Sequence, residues 1–153
     1  MPSVATKYFG TLSCREESII EFPAGLPAFE NEQRFVAIEL PEHAPLLFLQ
    51  SLEQRELCFL AFPILVVDRS YRLAIPPEDL EALDLPASRQ PQLGKEVLVL
   101  ALVSLNDGFS ATANLLAPIV VNLDSRRALQ SIRHDTLYSH QHPIELLARE
   151  EAC

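Results

Sequence analysis

Apolar residues in this chain come in short runs, and most runs stop at a proline or another turn former. Twelve prolines stand against four glycines. Proline has no N–H to give a sheet ladder and breaks a helix interior, so a chain this rich in it must keep its elements short and place prolines at their ends. Several runs then read as strands. Residues 18–22 carry Ile19 and Ile20 and stop at Pro23, and residues 34–40 are apolar through Phe35, Val36 and Ile38. Residues 46–51 and 56–62 are apolar runs separated by Glu53-Gln54-Arg55. Residues 97–105 and 119–123, rich in Val, Leu and Ile, have the strongest strand pattern. Turns are expected around Gly25, at Asn106-Asp107-Gly108, and at Asp124-Ser125 before residues 128–132.

Two helices are predicted. Residues 77–83 open on Pro77, whose missing N–H would have no partner there, with Glu78 and Asp79 at the positive end of the dipole. Residues 143–152 open on Pro143, place Ile144, Leu147 and Ala148 on one face, and pair Glu145 with Arg149. Residues 86–94 and 134–142 read as loops. The fold class that follows is mostly β: a small antiparallel barrel-like single domain over residues 1–153 with one or two short helices. Its core spans about 4–143, and its C-terminal helix and tail 143–153.

The net charge of −9 disfavours direct binding of nucleic acid, whose affinity comes from basic residues displacing counterions. A basic protein partner suits it better, although such charge also serves solubility. Cys14, Cys58 and Cys153 are odd in number and show no metal-ligand spacing, which fits a reducing compartment. Cys58 reads as a small buried apolar residue and Cys153 as exposed. The first residues, Met1-Pro2-Ser3-Val4-Ala5, lack a secretory pattern, and the run 97–105 is far shorter than the about 20 residues a bilayer needs. The expectation is a soluble cytoplasmic monomer with no membrane contact.

Catalytic chemistry finds little footing. His134, Asp135, His140 and His142 form the best metal candidate, since alternate residues of a strand share a side, but a solvated polar loop is the favoured reading. His43 is a lone loop histidine. Cys14 lies beside Arg15, yet Glu16 and Glu17 oppose any lowering of its pKa. Glu78, Asp79 and Glu81 read as a solvated helix face rather than paired catalytic carboxylates. There is no nucleophile elbow or phosphate-cradling glycine loop. No enzyme activity, cofactor or bound metal is therefore expected. Arg126-Arg127 is the only adjacent basic pair, available to a partner or to neighbouring acids. Around Gly25, core packing is expected for Phe22 and exposure for Leu26.

Four motifs in order carry a resemblance. They are Thr6-Lys7-Tyr8-Phe9-Gly10; Phe22-Pro23-Ala24-Gly25-Leu26-Pro27-Ala28-Phe29-Glu30, followed by Arg34-Phe35; Leu49-Gln50-Ser51-Leu52; and Thr112-Ala113-Asn114-Leu115-Leu116-Ala117-Pro118-Ile119-Val120-Val121-Asn122. Arg126-Arg127, Gln130 and His142-Pro143 continue the pattern. Each motif alone is weak, but their joint order and spacing are specific. The chain resembles the flagellar assembly factor FliW family from Thr6 to about Pro143.

The resemblance implies a small β-barrel-like fold, no catalysis and two protein partners. One partner is flagellin, and the other is CsrA, an RNA-binding regulator that represses flagellin mRNA translation. Family members are thought to antagonise CsrA allosterically and to release it when flagellin occupies them. A chaperone that binds flagellin alone, or a metal-dependent hydrolase using the 134–142 histidines, are the alternatives. Candidate partner-binding residues are Gly25, Leu26, Pro27, Phe29 and Glu30 in one loop, and Asn114, Asn122, Arg126 and Arg127 along the fourth motif and the turn after it. The competing reading gives Gly25 a backbone role and Asn114 and Asn122 strand-end capping.

Overall fold

The computed structural model describes residues 3–6, 10–13, 18–26, 29–105 and 111–144. Strands β1 (Ser3–Thr6) and β2 (Gly10–Ser13) form an antiparallel pair. A nine-stranded sheet holds β3 (Ile19–Glu21), β4 (Arg34–Glu39), β5 (Leu47–Ser51), β6 (Cys58–Pro63), β7 (Val97–Leu105), β8 (Ala111–Ala113), β9 (Ile119–Asn122), β10 (Ala128–Gln130) and β11 (His142–Ile144). Its main path runs β10-β9-β7-β6-β5-β4-β3, with β8 pairing the far end of β7 and β11 pairing β8. Among the described residues, every ladder between named strands is antiparallel.

The sheet curls without closing. Edge strand β3 reaches the approach to β10 at one place, where the Glu21 N–H donates to the Arg126 carbonyl at 2.9 Å. The expected barrel is therefore an open sheet with one bridge across its seam. The strands meeting there are three residues each, too short to form a full ladder.

Strand β7 divides the interior. Leu98, Leu100 and Leu102 face a core with Ile20, Phe22, Leu26, Phe35, Leu49, Ile119, Val121 and Ala128. Val97, Val99 and Ala101 face a second core with Ile64, Tyr71, Ile75, Leu80, Leu83, Leu115 and Val120. The period-two alternation of a strand thus feeds two cores from one uninterrupted apolar run.

Two short helices cover the second core. Helix α2 (Pro77–Ala82) starts as expected on Pro77 and buries Leu80. Its end is a Schellman motif: Asp84 adopts φ 61°, its N–H donates to the Glu81 carbonyl, and the Leu85 N–H donates to the Leu80 carbonyl. Helix α1 (Ile64–Val67) was not foreseen, since three of its four residues are β-branched and have poor helix propensity. The predicted helix from Pro143 is corrected over its described start. Residues His142–Ile144 pair with Ala111–Ala113, and Ile144 packs on the second core. Proline is tolerated there because an edge strand leaves one N–H position without a ladder partner. Residues 145–152 of that prediction, the turn at 106–108, and Cys14 and Cys153 lie outside the described residues.

Cys58 is half-buried, and burial pushes its thiol up to about 11, which suits a packing role. The loop at 86–96 is held by Arg89, which forks onto Glu96 at 2.9 and 2.8 Å, while the Gln92 N–H donates to the same carboxylate at 2.7 Å. These bonds, the Arg89 side chain's first, lower the Glu96 pKa from 4.5 to about 2. A carboxylate held below its unfolded value contributes stability in full above about pH 4.5 and loses it as pH falls through about 2. Urea midpoints of the protein and of Glu96→Gln, compared across that window, should converge towards acid pH.

Candidate functional site

The loop from Phe22 to Glu30 is built around Gly25. Its φ is +68°, and a Cβ there would lie 2.5 Å from the Glu30 backbone. The Gly25 N–H donates to the Phe22 carbonyl at 2.8 Å, and the Phe29 N–H donates to the Leu26 carbonyl at 2.7 Å. Gln33 Nε2 anchors the loop by donating to the Pro23 carbonyl, and Glu53 Oε1 accepts from the Gln33 N–H at 2.6 Å. Phe22 is 1% exposed and meets Phe35 edge to face, as its expected core role requires. Leu26 overturns the expectation of exposure. It is 3% exposed and packs in the first core, because the glycine turn folds the loop back over the sheet. Phe29 is half-buried and meets Phe59 edge to face at 5.4 Å, whereas Glu30 is exposed. Pro27 lies outside the described residues.

The second set lies along β8, β9 and the following turn. Asn114 Oδ1 accepts from the Leu116 and Ala117 N–H groups at 3.1 and 2.9 Å, turning the chain after β8. Asn122 is 5% exposed. Its Oδ1 accepts from the Asp124 and Ser125 N–H groups, and its Nδ2 donates to the Leu83 carbonyl at 2.6 Å. These asparagines stabilise turns, as short amide side chains do when they bond to the backbone ahead. Arg126 adopts φ 65°; its carbonyl accepts the seam bond from Glu21, and its Nη2 donates to the Ser18 carbonyl at 3.3 Å. Arg127 is exposed and lies 3.6 Å from Asp84. The candidates therefore divide. Glu30 and Arg127 face solvent, while Leu26, Asn122 and Arg126 tie elements of the fold together.

The Gln50-Ser51 pair of the third motif has a similar structural use. Gln50 is fully buried, and its Nε2 donates to the Ser51 and Arg55 carbonyls at 3.0 and 3.1 Å. Ser51 Oγ accepts from the Glu53 and Gln54 N–H groups, both at 3.0 Å. The motif shapes the turn between β5 and β6.

The 131–142 segment is organised by a residue that sequence reasoning missed. Arg133 is 5% exposed. It forks onto Asp135 at 2.9 and 2.8 Å, and its Nη1 donates to the Tyr71 hydroxyl and the Arg72 carbonyl. Its guanidinium lies 5.2 Å from the Tyr71 ring centroid and 4.7 Å from that of Tyr138. The Tyr138 hydroxyl accepts from the Arg72 N–H, and the Tyr71 hydroxyl donates to the Leu115 carbonyl. The bond from Arg133 holds the Asp135 pKa below its usual value. Asp135, one of the metal candidates, is thus engaged by an arginine. His134 and His140 are exposed, and only His142 of the histidines lies on a strand. Among the described residues, no group of three or more His, Cys, Asp or Glu side chains is placed to hold a metal ion. No local spacing announces this cluster, because Tyr71 and Arg133 meet only through the fold.

What stands out is an open β-sheet protein whose sequence motifs shape turns and fix loops. A family model described as FliW protein matches residues 3–144. The chain is 34% identical over 142 residues to the flagellar assembly factor FliW of Bacillus subtilis, covering 92% of this chain and 95% of that protein. It is 36% identical over 141 residues to that of Syntrophomonas wolfei, covering 92% and 87%. A crystal structure of the flagellar assembly factor FliW superposes with a TM-score of 0.79 at 29% identity, covering 93% of this chain and 96% of that one. The chain belongs to the FliW family of flagellar assembly factors.

Two substitutions test the local roles. Gly25→Ala should destabilise the protein by about 2–4 kcal/mol in urea unfolding, combining left-handed strain with displacement of the hairpin backbone. Arg133→Met, which keeps an apolar stem but removes the guanidinium, should cost about 2–4 kcal/mol. Arg133→Lys should recover only part of that loss, since an ammonium cannot fork onto Asp135 while stacking between the two rings.

Proposed function

We propose that this chain is a regulatory binding protein of flagellar assembly, working in the cytoplasm without catalysis of its own. It binds flagellin, and it antagonises the translational regulator CsrA by an allosteric route, relieving repression of flagellin mRNA translation. The observation that carries this reading is family membership over residues 3–144. The acidic balance of −9 supports it, since a negative surface speeds encounter with a basic RNA-binding protein and repels the RNA itself.

The partners act on the same molecule in opposition. If flagellin lowers the affinity for CsrA, CsrA must lower the affinity for flagellin by the same factor. Of the loop and turn candidates, Phe29, Glu30 and Arg127 are the side chains offered to partners. Gly25, Asn114, Asn122 and Arg126 act indirectly by holding those positions in place.

Purified protein immobilised on a sensor should capture flagellin and CsrA separately, and saturating flagellin should sharply lower CsrA capture. Capture of flagellin with no effect on CsrA would replace this reading with a flagellin-only export chaperone. Capture of neither would overturn it.

A further inference from the structure

We infer that the 131–137 segment and the adjoining face of α2 form one docking surface, and that its occupant is an apolar side chain flanked by lysine or arginine on a basic protein. The inference rests on the reading above, that the chain works by binding proteins.

Two large apolar side chains on this segment face water: Ile132 is 55% exposed and Leu137 74%. Ser131 and Arg133, on either side of Ile132 in the chain, are buried, so the segment is fastened on one side and presents the other. The fastening is the Arg133 cluster, and the Leu137 N–H donates to Asp135 Oδ1 at 3.3 Å beside it. A surface already held in shape loses little conformational entropy on binding.

The charge around these side chains selects the partner. Ser131 Oγ donates to Asp79 Oδ2 at 2.9 Å, and His134 Nε2 lies 3.9 Å from Glu78 Oε1. These contacts set the segment against the acidic side of α2, where Glu78 and Glu81 are exposed. Further along, Arg127 answers the charge of Asp84 at 3.6 Å. An apolar centre with a charged rim is the usual anatomy of a protein interface, and an acidic rim is complementary to a basic segment. Among the described residues, the other exposed large apolar side chains lack this setting. Leu65 and Val66 are on α1, followed by the opposed charges Asp68 and Arg69, and Leu105 ends β7.

The test uses full-length protein and purified CsrA as the basic probe, with affinities measured at about 50 mM and about 300 mM salt. Leu137→Ser should weaken binding about tenfold or more, as loss of an anchor does, while Leu105→Ser should leave it unchanged. Glu78→Gln with Glu81→Gln should flatten the salt dependence. Circular dichroism should be unaltered throughout, because these side chains lie outside both cores. If the unaltered protein binds CsrA and all these variants bind equally well, this surface is excluded and the functional reading stands. If the unaltered protein binds no CsrA, that reading and this inference fall together. If Leu137→Ser changes only the sedimentation of the protein itself, the surface joins two copies of the chain and the proposed occupant is wrong.

Discussion

Burial of residues 97–103 of β7 on both faces is the constraint on which the fold depends. This strand pairs with β6, β8 and β9 and sends alternate side chains into two cores. Burying one valine or leucine contributes about 1.5–3 kcal/mol, so a strand with Val97, Val99 and Leu100 fully buried supplies a large share of the driving force. It also fixes register. A slip of one residue would exchange the two sets of side chains, placing leucines where the helices leave room for valine and alanine.

The polar motifs act at the margins of this core. Gly25, Gln50-Ser51, Asn114 and Asn122 each end a strand or turn the chain, and each does so through backbone geometry or side-chain bonds to backbone groups. Asn122 also bonds to Leu83 at the end of α2, and Arg126 supplies the carbonyl that links the sheet's two edges. The residues that make the sequence resemble its relatives are thus largely those that let short strands fold back on one another.

Strand positions and the turns at Gly25 and Asp124-Ser125 were legible because they rest on local chemistry. Apolar runs, prolines and asparagines located β4 to β7 and β9 within a residue or two, and Pro77 marked the start of α2. What was misread depends on contacts distant in sequence. Leu26 looked exposed between Gly25 and Pro27, yet the hairpin returns it to the core. Pro143 carried a helix-start signal, but an open edge at β8 took residues 142–144 as a strand. Arg133 gave no signal, because its partners Tyr71 and Arg72 lie some sixty positions earlier, at separations of 62 and 61. Asp135 read as part of a solvated loop, although the arginine that engages it lies only two positions earlier.

The Arg133 cluster also bears on how a small sheet protein can hold an irregular segment in a defined shape. A guanidinium between two aromatic rings, with its donors directed to a carboxylate, a hydroxyl and a carbonyl, fixes an irregular segment through several elements at once. Segments of this kind usually bring in the entropy cost of ordering when a partner arrives. Here that cost is met during folding, by an arginine buried at 5% exposure, and Ile132 and Leu137 remain at the surface. A packed apolar group of similar volume in place of the cluster would keep much of the stability, as replacements of buried ion pairs often do, but would leave no directional bonds to fix the segment. The arrangement therefore favours a defined surface over the most stable core.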